Sequence, residues 1–422
     1  MARSNSRSAR FRHGAAFLCS VLASQLLWAS PRKIDDYHWT GVDRIVAIGD
    51  IHGDYASYIA TLKAAGIVDQ GGRWQAGDTH LVQVGDIPDR GADTAKIIAH
   101  MRKLADEAER EGGRVHNLMG NHEAMNVYGD LRYTSAGEYA ALAGPHAREL
   151  RDRYYANVLA DLKARDPERF ATLPKSFRQD WNSKHPLGWV EHQQAWNPRW
   201  NPQGQYFEWV MREPVAIELN DMIFVHGGIS ASYCQNSLAS LTDAAHQALR
   251  KNDPLAKSIL NDPQGPLWYR GLSGDEPEAS AETVQAILQH HVAHYIVVGH
   301  TPTAGIVWPR YAGRVIQIDV GMTAYYGGHV GYLEVTSDGL FAGYRGGKIK
   351  LPDAAAGRLK YLQQVVALQP DNSALKQQLA ALEASPTQDL DARANATQPA
   401  QAKTDSYGKD AAVSAAICGI SP

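Results

Sequence analysis

Short apolar runs alternate with helix-patterned segments along the first third of the chain. Three runs are short enough for strands: RIVAIGD (44–50), HLVQVGD (80–86) and RVHNLMGNHE (114–123). The gaps between them carry apolar residues at helical spacing: Tyr55, Ile59 and Leu62 in the first, and Ile97, Ile98, Met101 and Leu104 in the second. Gly112-Gly113 ends the second helical pattern. This alternation predicts an α/β domain whose sheet is largely parallel and covered by helices.

Each of these runs ends in glycine followed by polar residues, and two later runs repeat the pattern. PVAIELNDMIFVHGGIS (214–230) predicts a hairpin with its turn at Asn220-Asp221, and AHYIVVGHTPTAGIV (293–307) predicts another strand. Ligands of open α/β sheets bind at the carboxyl ends of the strands, so these polar residues should share one edge. They are Asp50, His52, Asp86, Asp89, Arg90, Asn121, His122, His226 and His300.

The aspartates, histidines and asparagine of this set suit a pair of divalent transition ions. A single carboxylate can bridge two such ions, and Asp86 is the natural bridge because its strand lies between those of Asp50 and Asn121. A lone Gly-Asp is usually a turn, and a lone histidine usually a structural one, but their joint occurrence at five strand ends favours a metal centre. A second histidine group, His290, His291 and His294, has no acidic partner and is interpreted as a charged helix end.

The rest of the chain divides by pattern. We expect a catalytic domain over 38–347 with an irregular, tryptophan-rich insertion or cap over 131–213. Amphipathic patterns predict a helical hairpin over 354–384, which could dock a protein partner, and the polar segment 385–422 is typical of a disordered tail. No catalytic motif lies in 352–422, so this region is predicted to be dispensable for chemistry.

Composition narrows the function classes. The 422 residues carry a formal net charge of −3, so bulk charge gives no reason to expect a nucleic-acid partner. Arginines precede an uncharged apolar run from Gly14 to Ala29, which predicts a signal peptide over 1–30 and an exported, periplasmic protein without stable membrane insertion after processing. An uncleaved membrane anchor is the alternative. The three cysteines, Cys19, Cys234 and Cys418, support neither a thiolate zinc site nor a disulfide framework, and pairing of the last two stays open.

Five short motifs together resemble the signature of the phosphoprotein phosphatase family of metallophosphoesterases: GDIHG (49–53), GDIPDRG (85–91), GNHE (120–123), HGG (226–228) and GHT (299–301). The resemblance covers 42–345. GPLWYRG (265–271), GHTPT (299–303) and DVGMTAYYGG (319–328) resemble the bacterial, Shewanella-like branch. The family resemblance implies a β-sandwich of mixed sheets flanked by helices.

The resemblance also implies a role for each residue. Asp50, His52 and Asp86 would hold one metal ion, and Asp86, Asn121, His226 and His300 the other. His122, oriented by Asp89, would protonate the leaving group. Arg90, Asn121 and Arg270 would bind the phosphate, Arg270 being the best-placed second arginine. Glu123 is interpreted apart from the resemblance, as a residue that orients its neighbours or starts a helix. The ligand set admits Mn, Fe, Zn or Co as the two divalent ions.

These features predict a dinuclear metal-dependent phosphatase that hydrolyses phosphomonoesters by attack of a metal-activated water. Its substrate would be a phosphorylated protein, with phosphotyrosine favoured modestly over phosphoserine or phosphothreonine by the branch resemblance. One alternative is a phosphatase or pyrophosphatase for small molecules or nucleotides. Another, of a different class, is a binding scaffold with a vestigial metal site.

Overall fold

The computed structural model describes residues 32–33, 35–253, 256–274, 278–384 and 418. The predicted signal segment lies outside these residues, and so does the predicted tail except for Cys418. Over the described residues, two mixed β-sheets pack face to face between helices. This is the sandwich of mixed sheets that the family resemblance implies.

The strands are short and are numbered in chain order. They are β1 (Arg32–Lys33), β2 (His38–Thr40), β3 (Ile45–Ile48), β4 (His80–Gln83), β5 (Arg114–Asn117), β6 (Ala216–Leu219), β7 (Met222–Val225), β8 (Tyr295–Val298), β9 (Trp308–Arg310), β10 (Val315–Gln317), β11 (Gly331–Thr336), β12 (Gly339–Tyr344) and β13 (Gly347–Lys350). One sheet has the order β1-β2-β6-β7-β8-β10-β9, and the other β13-β12-β11-β3-β4-β5. Within them β3, β4 and β5 run parallel, as do β7, β8 and β10.

Side-chain alternation explains why the central strands are apolar throughout. In β3, Ile45 and Ala47 face the layer between the sheets, whereas Val46 and Ile48 face the helices outside. The β7 strand does the same: Phe224 packs between the sheets, and its neighbours pack against the outer helices. Because successive side chains of a strand point to opposite faces, a strand covered on both sides needs apolar residues at every position.

The helices are also numbered in chain order. They are α1 (Tyr55–Ala64), α2 (Thr94–Arg110), α3 (Asn121–Tyr128), α4 (Ala136–Leu142), α5 (Ala147–Arg165), α6 (Pro167–Ala171), α7 (Phe177–Lys184), α8 (Trp189–Trp196), α9 (Gln205–Val210), α10 (Leu238–Lys251), α11 (Ala281–His291), α12 (Arg358–Leu368) and α13 (Ser373–Ala384). The α2 helix buries the four apolar residues that its spacing predicts. The 131–213 segment is largely helical, and Trp181, Trp196 and Trp209 are buried in its packing.

The C-terminal helices α12 and α13 pack against the chain's own sandwich. Tyr361 is buried, and its hydroxyl donates to the Val307 carbonyl at 2.6 Å. The side chains of Gln369 and Asn372 donate to the carbonyls of Gly305 and Ala304 at 2.7 and 2.8 Å. The apolar faces of the hairpin therefore close one end of the core, and a protein partner there stays a prediction.

A disulfide bond joins Cys234, which follows β7, to Cys418 near the end of the chain. Cys234 packs among buried residues of the outer face of its sheet, including Ile229 and Tyr269. The bond answers the question of pairing that the sequence leaves open. Within the described residues, no helix is long and apolar enough to cross a membrane.

Candidate metal and phosphate site

The strand order brings the polar strand ends to one edge of the sandwich. The β4 strand lies between β3 and β5, so Asp86 follows the central strand of the three, as its expected bridging position requires. The parallel pair of β7 and β8 brings His226 beside His300. Asp50, His52, Asp86, Asn121, His122, His226 and His300 are all buried at this edge.

Several of these residues have a left-handed backbone. The φ angle is 48° at His52, 61° at Asp86, 74° at Asp89, 65° at Arg90 and 66° at His300. Such angles are unfavourable for residues with a Cβ and persist only where surrounding contacts hold them. Five such residues lie together at this edge of the sandwich.

Hydrogen bonds to carbonyls fix which nitrogen of two histidines faces the cluster. His52 Nδ1 lies 3.0 Å from the Pro88 carbonyl, and His226 Nδ1 lies 2.9 Å from the Val84 carbonyl. A carbonyl only accepts, so each Nδ1 carries a proton, and Nε2 is the ring nitrogen left to face the cluster. Both Nε2 atoms face Asp86 Oδ2, at 3.8 Å for His52 and 3.3 Å for His226.

Further nitrogen and oxygen atoms lie close together in this cluster. His226 Nε2 also lies 2.9 Å from Asn121 Oδ1 and 3.1 Å from His300 Nδ1. Two groups have ligand atoms within 4.8 Å of one another: His52, Asp86 and His122, and Asp86, His226 and His300. Carboxylate, imidazole and amide groups that converge in a buried region fit divalent transition ions. Asp86 belongs to both groups.

The carboxylates of the cluster have different electrostatic surroundings. Burial, with Asp319 and Asp86 nearby, raises the pKa of Asp50 well above its ordinary value. Burial would also raise the pKa of Asp86, but His226, His122 and His52 outweigh it and hold that pKa well below its ordinary value. Asp86 is therefore the residue whose negative charge the surrounding protein stabilises most directly.

Glu123 holds the backbone around Asp86. Its Oε2 accepts from the backbone N–H of Asp86 and of Gly120, both at 2.9 Å, and its Oε1 accepts from Ile87 at 2.8 Å. The same residue thus starts α3 and orients the Asp86 loop, as its position in GNHE suggests. Burial, together with the Asp86 charge, raises the pKa of Glu123 to about 7.

His122 and Asp89 form a close buried pair. His122 Nδ1 lies 2.6 Å from Asp89 Oδ2, and Thr134 Oγ1 donates to Asp89 Oδ1 at 2.9 Å. Burial alone would lower the pKa of His122, but the Asp86 and Asp89 carboxylates raise it above its ordinary value. The pair has the geometry of a general acid held by a carboxylate, with Nε2 left to face the cluster.

Three tyrosines surround the Arg90 guanidinium. Its Cζ lies 4.7 Å from the ring centres of Tyr133 and Tyr325 and 5.0 Å from that of Tyr326. Arg90 Nε is buried without a hydrogen-bond partner among the described residues. Tyr325 is 64% exposed, so the aromatic surround opens to solvent beside the cluster. None of these tyrosines is predicted as a site residue from the sequence.

Arg270 lies beside His300. Its Nη1 donates to the His300 carbonyl at 2.8 Å and to Thr301 Oγ1 at 2.9 Å. In the second histidine group, His294 is mostly exposed and its Nδ1 lies 2.6 Å from Asp221 Oδ2, an acidic partner that the sequence did not indicate. His291 is half-buried, and burial lowers its pKa to about 4.

Asp319 is a buried carboxylate of this region that sequence reasoning did not assign. Its Oδ1 accepts from Gly321 N at 3.0 Å, whereas Oδ2 is buried with no hydrogen-bond partner among the described residues. Burial, with Asp86 nearby, raises the pKa of Asp319 to about 6. Asp319 follows an apolar run and precedes a glycine by two positions, so the strand-end rule applied to the other motifs would have found it.

Comparison with known proteins gives consistent matches. The family model for calcineurin-like phosphoesterases matches residues 43–304. The chain is 30% identical over 292 residues to Shewanella-like protein phosphatase 2 of Arabidopsis thaliana, covering 67% of this chain and 72% of that protein. It is 28% identical over 304 residues to Shewanella-like protein phosphatase 1 of Plasmodium berghei, with coverages of 69% and 70%. Among solved structures, the cold-active protein-tyrosine phosphatase of a psychrophilic Shewanella species has a TM-score of 0.56 at 26% identity, over 76% of this chain and 83% of that one.

Proposed function

Since the chain belongs to the calcineurin-like phosphoesterase family, as a phosphatase of the Shewanella-like branch, we propose that it hydrolyses phosphate monoesters with two divalent metal ions at the strand-end cluster. Asp50, His52 and Asp86 would hold one ion, and Asp86, Asn121, His226 and His300 the other. The observation that supports this most directly is the position of Asp86 Oδ2 between the Nε2 atoms of His52 and His226. When bound, two such ions supply positive charge that polarises a phosphoryl group and acidifies water.

The protein's own residues carry the remaining steps. Arg90 presents a planar guanidinium that matches two phosphoryl oxygens and can fix the orientation of the ester. His122 donates a proton to the departing oxygen, and Asp89 keeps its Nδ1 protonated so that Nε2 is the atom that donates. Arg270 lies where it can share the phosphoryl charge from the side of His300.

The test is hydrolysis of 4-nitrophenyl phosphate by the full chain with added manganese, together with its metal content. Asp86→Asn should lower both the bound metal and kcat/KM, the latter by 100-fold or more, because it removes a charge shared by both ions. Asp161→Asn, at an exposed position on α5, is the matched control and should behave like the unchanged enzyme. Near-normal turnover with two ions per chain in Asp86→Asn would contradict the assignment. Metal binding without any turnover by the unchanged protein would favour the scaffold.

We further propose a preference for aryl phosphates, as in phosphotyrosine. The solved structural relative is titled a protein-tyrosine phosphatase, and the aromatic rings of Tyr133 and Tyr325 lie beside Arg90, each 4.7 Å from its Cζ. An aromatic pair contributes about 0.5–1.5 kcal/mol beyond its buried area, so Tyr325→Ala should raise KM for a phosphotyrosine peptide about 2- to 10-fold. Tyr325→Phe should keep the preference, and Tyr325→Ala should impair a phosphoserine peptide less than the phosphotyrosine peptide, because only the effect through Arg90 is common to both. Equal losses on both peptides would contradict ring stacking, and a panel of nucleotides and pyrophosphate tests the small-molecule alternative.

Export to an oxidising compartment is a related proposal. The basic and apolar pattern at the start of the chain supports it, and so does the disulfide between Cys234 and Cys418, because such bonds persist outside the reducing cytosol. The two ions would be drawn from Mn, Fe, Zn and Co, which elemental analysis of protein purified without added metal would identify.

A further inference from the structure

The segment that carries Asp89, Arg90 and Gly91 is the catalytic turn of the proposed phosphatase. It supplies both the carboxylate that orients His122 and the arginine that meets the phosphate. Asp89 and Arg90 have φ angles of 74° and 65°. Residues with a Cβ avoid this region at a cost of about 1–2 kcal/mol each, so neighbouring groups must hold the turn in place.

One short segment at the start of the insertion contacts every residue of the catalytic turn. The Tyr133 carbonyl accepts from Arg90 N at 3.0 Å. Thr134 Oγ1 donates to Asp89 Oδ1 at 2.9 Å, and Ser135 Oγ donates to the Gly91 carbonyl at 2.7 Å. The segment continues into α4, whose N-cap is Ser135. We call residues 133–138 the insertion clamp.

Glu138 is the buried member of the insertion clamp. Only 2% of it is exposed, and its Oε2 accepts from the backbone N–H of Asp89 at 3.1 Å. Ser135 Oγ accepts from Glu138 N at 3.0 Å, which fixes the first turn of α4 and points this side chain back toward the catalytic turn. Burial, with the nearby Asp89 charge, raises the pKa of Glu138 well above its ordinary value. A buried carboxylate is costly, and packing alone would be served better by an apolar residue.

We propose that Glu138 is a positioning residue for catalysis: through the Asp89 N–H it sets the catalytic turn, and with it the Asp89–His122 pair and Arg90. This role rests on the proposed phosphatase function. It also gives the insertion a role in catalysis, because Glu138 of the insertion binds the backbone of the catalytic turn.

The inference predicts a specific kinetic signature. A turn released from Glu138 lets the Asp89 carboxylate move away from His122 Nδ1, so protonation of the leaving group suffers most. Substrates with a good leaving group need little protonation, whereas alkyl phosphates depend on it. A purely structural role would lower the folded fraction and reduce activity equally on all substrates.

The experiment compares Glu138→Ala, Glu138→Gln and the control Glu149→Ala, an exposed glutamate on α5. Losing a buried hydrogen-bond partner corresponds to about a 5- to 150-fold effect, so Glu138→Ala should lower kcat/KM by about 10-fold on 4-nitrophenyl phosphate and about 100-fold on an alkyl phosphate. Glu138→Gln should recover most of the loss, because its amide oxygen can still accept from Asp89 N. Metal content should not change, and hydrogen exchange should accelerate in the peptide that contains Asp89. Glu149→Ala should alter none of these quantities.

Equal losses across the leaving groups, or a Glu138→Gln variant as impaired as Glu138→Ala, would overturn the positioning role. So would unchanged hydrogen exchange at the catalytic turn. If Glu138→Ala does not fold, Thr134→Val removes a second contact to Asp89 with little change in volume and should show the same dependence on the leaving group, more weakly; an equal effect on all substrates would count against the inference. Failure of the proposed function would look different, because the unchanged protein would then hydrolyse none of the esters.

Discussion

At the residue scale, the site depends on a few side chains that other residues hold in unfavourable backbone conformations. The pairing of His122 with Asp89 leads to the first prediction. His122→Asn should lower kcat/KM far more on an alkyl phosphate than on 4-nitrophenyl phosphate, by 10²-fold or more on the former, since a general acid typically contributes that much. Steady-state kinetics on the two esters measure this, and equal losses would contradict the acid role.

The two arginines allow a second prediction at this scale. Arg90→Ala and Arg270→Ala should each keep the metal content and lower kcat/KM by about 10²-fold, as expected for losing a charge-assisted donor to the transition state. Arg270→Lys should recover only part, because an ammonium group cannot bind two oxygens in one plane. A silent Arg270→Ala beside a strongly impaired Arg90→Ala would show that the bonds of Arg270 to His300 and Thr301 are its main role.

The sequence contains enough information to place the strand-end residues but not those that approach from distant segments. Asp50, Asp86, His226 and His300 each follow an apolar run and a glycine or a strand end, so the pattern and the family resemblance select them. Tyr133 and Glu138 lie in the irregular insertion, where nothing in the local pattern indicates that Arg90 or Asp89 is near. Such contacts depend on tertiary packing, which the spacing of apolar residues along the chain does not reveal.

At the element scale, the buried carboxylate of Glu334 on β11 binds two partly exposed basic side chains of the same sheet. Glu334 Oε1 accepts from Arg44 Nε at 2.7 Å, and Lys348 of β13 contacts its other oxygen. Burial would raise the pKa of Glu334, but the hydrogen bonds of Lys348 and Arg44 leave it below the ordinary value of 4.5. A lowered folded-state pKa stabilises the fold above the unfolded value, and this stabilisation is lost as the pH falls through the folded pKa.

The lowered pKa of Glu334 gives the third prediction. The thermal midpoint of the unchanged protein should fall as the pH drops below 4.5, and Glu334→Gln should remove part of that dependence while lowering the midpoint at pH 7. Unfolding curves between pH 3 and pH 7 measure it, at roughly physiological ionic strength because exposed charges are screened by salt. Glu149→Gln, at an exposed site, is the control. Parallel pH curves for Glu334→Gln and the unchanged protein would contradict the linkage.

Element prediction succeeds where apolar runs are uniform. The strands β3, β7 and β8 are covered on both faces, so their sequences are almost entirely apolar and easily recognised. The order of the strands does not follow from such runs, because β3 takes its partner β11 from the far end of the domain. The sequence pattern does not predict the individual helices of the insertion, because aromatic, proline and polar residues interrupt their periodicity.

At the scale of the whole molecule, the structure changes the expectation for the C-terminal region. Without a catalytic motif, residues 352–422 were predicted to be dispensable for chemistry. In the structure, Tyr361, Leu362, Val365 and Leu375 are buried in the layer between the sheets. Removing the helices would therefore expose core residues even though no catalytic group is lost.

The fourth prediction follows. Truncation after Lys350 should lower the thermal midpoint by more than 10 °C, because several core side chains lose burial at about 1.5–3 kcal/mol each and the disulfide to Cys418 is removed. The folded fraction should keep kcat/KM on 4-nitrophenyl phosphate within about threefold, since no residue of the proposed site lies in the deleted region. Calorimetry and kinetics at low temperature separate the two effects. An unchanged midpoint would contradict the packing role, and complete inactivity of a folded truncation would show that the helices shape the site.

The pairing of β3 with β11 also affects how the chain folds during its synthesis. Ala47 faces Leu333, so the strand that leads to Asp50 is synthesised long before its antiparallel neighbour. During that interval one edge of the Ile-Val-Ala-Ile strand lacks its hydrogen-bonding partner, so it can pair with strands of other nascent chains. Contacts between such remote segments also form slowly, because a long stretch of chain must first be closed. The yield of folded enzyme should therefore rise when translation is slow and when chaperones bind the unfolded chain. Rapid expression at high concentration should instead produce inclusion bodies.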